Sequence, residues 1–337
     1  MERTRLRHLT ALTVLISAFI ILSCASPGPR YDGETGKGPL FPVEKDFKWG
    51  FIDGSGDLVI PYKYEGAVDF SEDRALVKAD GKWGYINEFD IMVITPGFEE
   101  AQKFSEGFAQ VKIDGRYGYI DRVGKVVSEP RFEKSEPFSE GLAGVKIDGR
   151  WGYINKDGKM VITPRYDRAF SFSDGYALIV VDGKGGYIKK NGKVFIKPEY
   201  EWAEGYSEGL ACVLRDGKYV YLDKFGEVKL KTDFEGARHF KEGAAAVTKN
   251  GRQGFINKGG LVIVQPEYEE AGDFSEGLAT VRQNGKWGFI NKRGEVVIAP
   301  QFQTAVSFSE GLAIVELGNG SWGYIDKKGK FVWKSFE

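Results

Sequence analysis

A seven-residue phrase returns through this chain at a fixed distance. It reads GKWGYIN at 81–87, GRYGYID at 115–121, GRWGYIN at 149–155 and GKWGFIN at 285–291. Aligned on the tryptophan, the column is Trp49, Trp83, Tyr117, Trp151, Gly185, Tyr219, Gln253, Trp287 and Trp322, with seven intervals of 34 residues and a last one of 35. A fixed period of this size means an array of like supersecondary units stacked to bury a shared core. Nine such units fill residues 40–337.

The unit reads as a β-meander. Leu142–Val145 is an apolar run, and Asp148-Gly149 behind it suits a two-residue type I′ hairpin. Eight of the nine units, up to Asn319-Gly320, carry Asp-Gly or Asn-Gly there. Trp151–Ile154 is a second strand, and Asn155–Gly158 a turn whose glycine fits a left-handed bulge position, replaced only by Asp90. Met160–Ile162 is a third strand that Pro164 is expected to stop. A linking segment, Tyr166 to Gly175, closes the period; its apolar spacing allows a fourth strand or a loop with one helical turn. Two columns hardly vary. The residue two after the tryptophan is aromatic in every unit, and the next is isoleucine except at Leu222. Strand alternation places Trp151 and Tyr153 on one face and Gly152 and Ile154 on the other, so both faces should be covered.

These motifs resemble the WG-repeat family with its KWG-type repeats: Lys82-Trp83-Gly84-Tyr85-Ile86-Asn87, Gly158-Lys159, Val161-Ile162-Thr163-Pro164 and Phe104-Ser105-Glu106-Gly107. The likeness spans residues 40–337. Departures cluster in the fifth to seventh units, where Gly185 and Gln253 replace Trp, Val220 replaces Gly and Thr232 replaces Pro. The resemblance implies an all-β repeat fold common in bacterial envelope proteins and implies no catalytic residue. The expected architecture is all-β, a repeat array of nine units of ~34 residues with three to four strands each. β-Propeller-like packing is favoured, with an open β-solenoid or superhelix as the alternative.

Little in the chain reads as chemistry. Beyond the leader there is one histidine, His239, and one further cysteine, Cys212, in an apolar strand. A metal site, a histidine-based triad, a phosphate loop and a calcium loop all lack their residue patterns, and no cofactor is expected. With a net charge of −1 the chain has no basic excess for nucleic acid. Two charge ladders recur. The bases before the tryptophan run from Lys48 to Lys286, and the acids before the closing glycine run from Glu106 to Glu310. They read as a solvated rim with turn and register roles, or as a basic line facing an anionic polymer. The irregular units supply the candidate binding patch: Trp202, Tyr219, His239 and Gln253.

The N-terminus is a targeting segment. Arg3, Arg5 and Arg7 precede an apolar stretch from Leu9 to Leu22, ending Ile21-Leu22-Ser23-Cys24. This resembles a lipoprotein lipobox, which implies a leader at 1–23 and lipidation of Cys24. A Pro/Gly-rich tether then occupies 24–39, before the repeat domain at 40–337. The expectation is a lipid-anchored protein of the bacterial envelope, at the outer membrane because Ala25 rather than Asp follows the cysteine. It is expected to bind an envelope protein without catalysis, with glycan or peptidoglycan as the alternative partner.

Overall fold

The computed structural model describes residues 38–335. The leader 1–23 and Cys24 lie outside the described residues. These divide into two compact units, residues 38–217 with Tyr221–Val228, and Lys218–Val220 with residues 229–335.

Nine antiparallel sheets, here called blades, follow one another: blade 1 (41–64), 2 (66–98), 3 (100–132), 4 (134–166), 5 (168–200), 6 (202–231), 7 (236–268), 8 (270–302) and 9 (304–334). Each has four strands in chain order except blade 1, which has three. No helix occurs among the described residues. Every ladder joins consecutive strands of one blade. A β-solenoid would instead pair strands from one coil to the next, so the fold is the β-propeller-like array.

The turns form where the sequence puts left-handed residues. Asp148 and Gly149 take φ of 48° and 75°, the two positive values a type I′ hairpin requires. In the next turn the Asn155 side-chain oxygen accepts from Asp157 N and Lys159 N, and Gly158 N donates to Asn155 O. The last first-type turn differs. Leu317 N donates to Ser321 O and Gly320 N to Leu317 O, a longer loop that absorbs the extra residue of the 35-residue interval.

One open alternative is decided and one expectation corrected. The linking segment supplies a fourth strand and contains no helical turn. It pairs forward, its Arg168–Ala169 forming the first strand of blade 5 opposite Val180 and Ile179. Ser173–Tyr176 then closes a tight turn with Asp174 at φ 53° and Gly175 at φ 85°. Nor does Pro164 stop its strand, which runs through it from Met160 to Tyr166. The partners explain why. Tyr153 faces Ile162 while Trp151 faces Tyr166, so the proline sits in a bulge. That bulge folds the backbone onto Gly152, where a Cβ would lie 2.4 Å from Ile162 O and 2.7 Å from Pro164 N. In blade 4 the glycine of the WG pair is therefore required by the proline bulge beside it, whereas in blade 9, which lacks the proline, Gly323 is pressed instead by Trp333 O, 2.3 Å from where its Cβ would lie.

The core sits between blades as much as within them. Trp151, Tyr153, Ile162 and Tyr166 of blade 4 form one cluster with Ala169, Phe172, Ile179 and Ile188 of blade 5. The rings of Tyr153 and Phe172 are 5.0 Å apart, and Tyr153 Oη donates to Phe170 O at 2.8 Å. Tyr85, Tyr119 and Tyr187 repeat that bond to Gln102, Glu136 and Glu204 O. One such bond contributes about 1 kcal/mol, and buried ring area far more.

Candidate functional site

The acidic ladder does not form a free rim. Glu106 accepts from Glu140 N at 2.6 Å and Gly141 N at 2.8 Å, one repeat ahead, and pairs with Lys156 at 3.2 Å. Glu242 does the same with Glu276 N, Gly277 N and Lys292. Glu276 holds Gly311 N and Lys327. Burial alone would raise the carboxyls of Glu106 and Glu242, but these donors hold both below their usual range. The serine before several of these acids adds a second link, as Ser105 Oγ donates to Phe138 O, Ser139 Oγ to Phe172 O and Ser275 Oγ to Phe308 O. Glu106 has φ 52°, a conformation unfavourable to a non-glycine residue by about 1 kcal/mol. Its inter-blade bonds offset that strain. Of the basic ladder, Arg150 pairs with Asp167 and Lys218 with Asp233.

Of the four candidate patch residues, two are brought to one stretch. His239 Nε2 lies 3.1 Å from Asp273 Oδ2, with both side chains largely buried. Burial would raise Asp273, but the His239 hydrogen bond and the Arg238 charge hold it below its usual value. The same column, one repeat apart, pairs Asp69 with Lys103 at 2.9 Å, so His239 occupies a recurring inter-blade ion-pair position. Gln253 Oε1 accepts from Ala271 N at 2.6 Å. Both residues thus reach the stretch Ala271–Asp273. Half-buried Tyr219 belongs to the same unit, its carbonyl accepting from Thr232 N and Oγ1. Trp202, half-buried in the other unit, sits opposite Leu214. Cys212 is buried, and burial pushes its thiol far above the usual range. Among the described residues no group of three or more His, Cys, Asp or Glu could hold a metal ion.

A surface feature went unnoticed in the sequence. Phe89 and Val123 occupy one turn column that also holds Phe225 and elsewhere holds Ser55, Asp157, Asn191, Gly259, Arg293 and Lys328. They are 55% and 74% exposed. The blade 3 turn seats on blade 2, because a Cβ on Gly124 would lie 3.2 Å from the Ile94 side chain. Ile91, Met92 and Val126 on the same two blades are also exposed. The signal was an apolar residue where the turn column is otherwise mostly polar.

A family model for the WG containing repeat matches residues 49–83, 83–117, 117–151, 151–184, 186–219, 221–252, 254–287 and 287–320. The chain belongs to the WG containing repeat family. No curated protein matches its sequence. Among solved structures it is similar to a eukaryotic initiation factor, at 10% identity and a TM-score of 0.60, covering 88% of this chain and 96% of that one. That likeness shows the fold alone. Weaker ones, to BamB from Moraxella catarrhalis (12% identity, 76% and 94% covered, TM-score 0.45) and to the dihydro-heme d1 dehydrogenase NirN in complex with DHE (14%, 82% and 75%, 0.47), carry no weight.

The WG repeat breaks its rule most fully in blade 6. Val220 replaces the glycine and Thr232 the proline. The fourth strand shortens to Val228–Lys231 against seven residues in blade 4. Phe234 is left half-buried beside a depression of about 240 Å³ that Leu230, Lys231, Thr232, Lys249 and Ile256 also line. Val220, in the place of that glycine, is 5% exposed.

Proposed function

We propose that this WG-repeat scaffold is a non-catalytic, lipid-anchored protein of the bacterial envelope, held at the outer membrane by Cys24, that binds a protein partner. The exposed apolar residues Phe89, Ile91, Met92, Val123 and Val126 of blades 2 and 3 carry the reading. Exposed apolar surface that the core does not use marks interaction sites. One further fact supports the absence of catalysis in this proposal: Cys212 is buried. The lipobox-like Ile21–Cys24 supports the anchor.

The test is a photo-crosslinking amino acid at Val123 in living cells. The expected result is one adduct of defined mass that disappears with Ile91→Asp. No adduct at Val123, or an equal one from exposed Lys328, would count against the reading. Mass spectrometry of the N-terminal peptide tests the lipid on Cys24.

One observation favours a glycan partner instead. Tyr176, partly exposed, stacks on Phe195 at 4.4 Å and on Tyr206 at 4.7 Å. Asp174, Lys189 and Asn191 line the depression beside it, an arrangement suited to sugar stacking and hydrogen bonding. Retention on purified wall glycan, lost in Tyr176→Ala, would support it.

A further inference from the structure

The last strand of every blade ends its sheet, leaving one row of backbone N–H and C=O groups without a strand partner. Such edges invite pairing with another chain, and proteins blunt them with proline and bulges. Seven of the nine last strands carry that proline: Pro61, Pro96, Pro130, Pro164, Pro198, Pro266 and Pro300. Blades 6 and 9 do not, having Thr232 and Ser335 at that position. In blade 6 Thr232 turns inward, N and Oγ1 both donating to Tyr219 O at 3.1 and 2.8 Å. Strand alternation then directs the N–H and C=O of Lys229 and Lys231 outward, to the free edge.

Beside this edge lies the depression described above, with Leu230, Phe234 and Ile256 giving it an apolar lining. The charges around it are unbalanced. Lys218 is paired with Asp233, and Glu235 accepts from Asn250 N and Gly251 N. Lys229, Lys231 and Lys249 are exposed and form no ion pair among the described residues.

We propose that the edge strand of blade 6 binds an extended acidic peptide as an added β-strand, pairing with the backbone of Lys229 and Lys231 and seating one apolar side chain beside Leu230 and Phe234. In strand addition the main chain supplies affinity and alternate side chains specificity. The three lysines select acidic residues, and the depression accepts one apolar side chain. This site uses none of the residues of the blade 2 and 3 surface, so the failure of either proposal leaves the other standing.

The probe is a fluorescein-labelled peptide of alternating glutamate and valine with one central phenylalanine, titrated against the full chain in detergent. Saturable binding is expected, with slowed amide exchange at Lys229 and Lys231. Lys231→Pro, which removes an edge N–H, should weaken it about tenfold or more. The double variant Lys229→Glu, Lys231→Glu, at exposed positions where folding is undisturbed, should do the same. A lysine–valine peptide of equal length should not bind. Absence of saturable binding, equal binding of the lysine peptide, or affinity unchanged in both variants would overturn the proposal.

Discussion

Blades 4 and 6 use the same backbone plan with opposite solutions at one point. In blade 4, Pro164 creates a bulge that presses on Gly152, so neither residue can be changed alone. In blade 6 the bulge is gone, Val220 is buried where a glycine stood, and Thr232 ties back to Tyr219. The aromatic two residues on is the same brick in both, with Tyr153 and Tyr221 each 0% exposed. Some repeat columns are therefore required independently, while others are required only as pairs.

The sharpest test of the shared part is Tyr153→Ala beside Tyr221→Ala. Each should cost about 3–5 kcal/mol through cavity formation, by the same mechanism, in urea titrations. The contrast comes next. Gly152→Val should cost about 3 kcal/mol, because its Cβ meets backbone that cannot yield. Val220→Gly, with no bulge to relieve, should cost only about 1–2 kcal/mol of lost burial.

The acid ladder gives a smaller test. Glu106→Gly removes an unfavourable φ but also the bonds to Glu140 N and Gly141 N, with a net loss of about 1–2 kcal/mol. Glu310 has φ 52° and no hydrogen bond or ion pair among the described residues. There the same change should be neutral or stabilising by about 0.5 kcal/mol. Equal losses at both positions would mean that the inter-blade bonds do not matter.

The smallest effect is with pH. Glu106 and Glu242 are held below their usual value of about 4.5 in the folded chain. A depressed carboxyl stabilises fully above its unfolded value, and that stability disappears as pH falls through the folded one. Stability should therefore decline below about pH 4.5, and less steeply in the Glu106→Gln, Glu242→Gln double variant. Denaturant midpoints taken across that window check it.

Much of the fold was legible because turn chemistry is local. Asp-Gly and Asn-Gly pairs mark hairpins whatever surrounds them, and the aromatic and isoleucine columns mark strands buried on both faces. Two things were not local. A proline near the end of a strand is compatible with a stop or a bulge, and only the partner strand's register decides. Glu106 and Gly141 sit 35 residues apart, one more than the period, so their bond becomes visible only when blades are stacked. The joint loss of glycine at 220 and proline at 232 was on the page, but its meaning needed the contact at Gly152. The candidate patch suffered for a related reason: His239 and Gln253 looked irregular, yet each takes a partner in the neighbouring blade.

The most direct measurement is a double-mutant cycle of Gly152→Val with Pro164→Thr, the pair of changes that blade 6 already carries. The two residues should be coupled, the double variant being more stable than the sum of the single losses predicts by about 1 kcal/mol or more. Losses that add to within about 0.5 kcal/mol would contradict the claim that in blade 4 the proline bulge is what makes Gly152 obligatory.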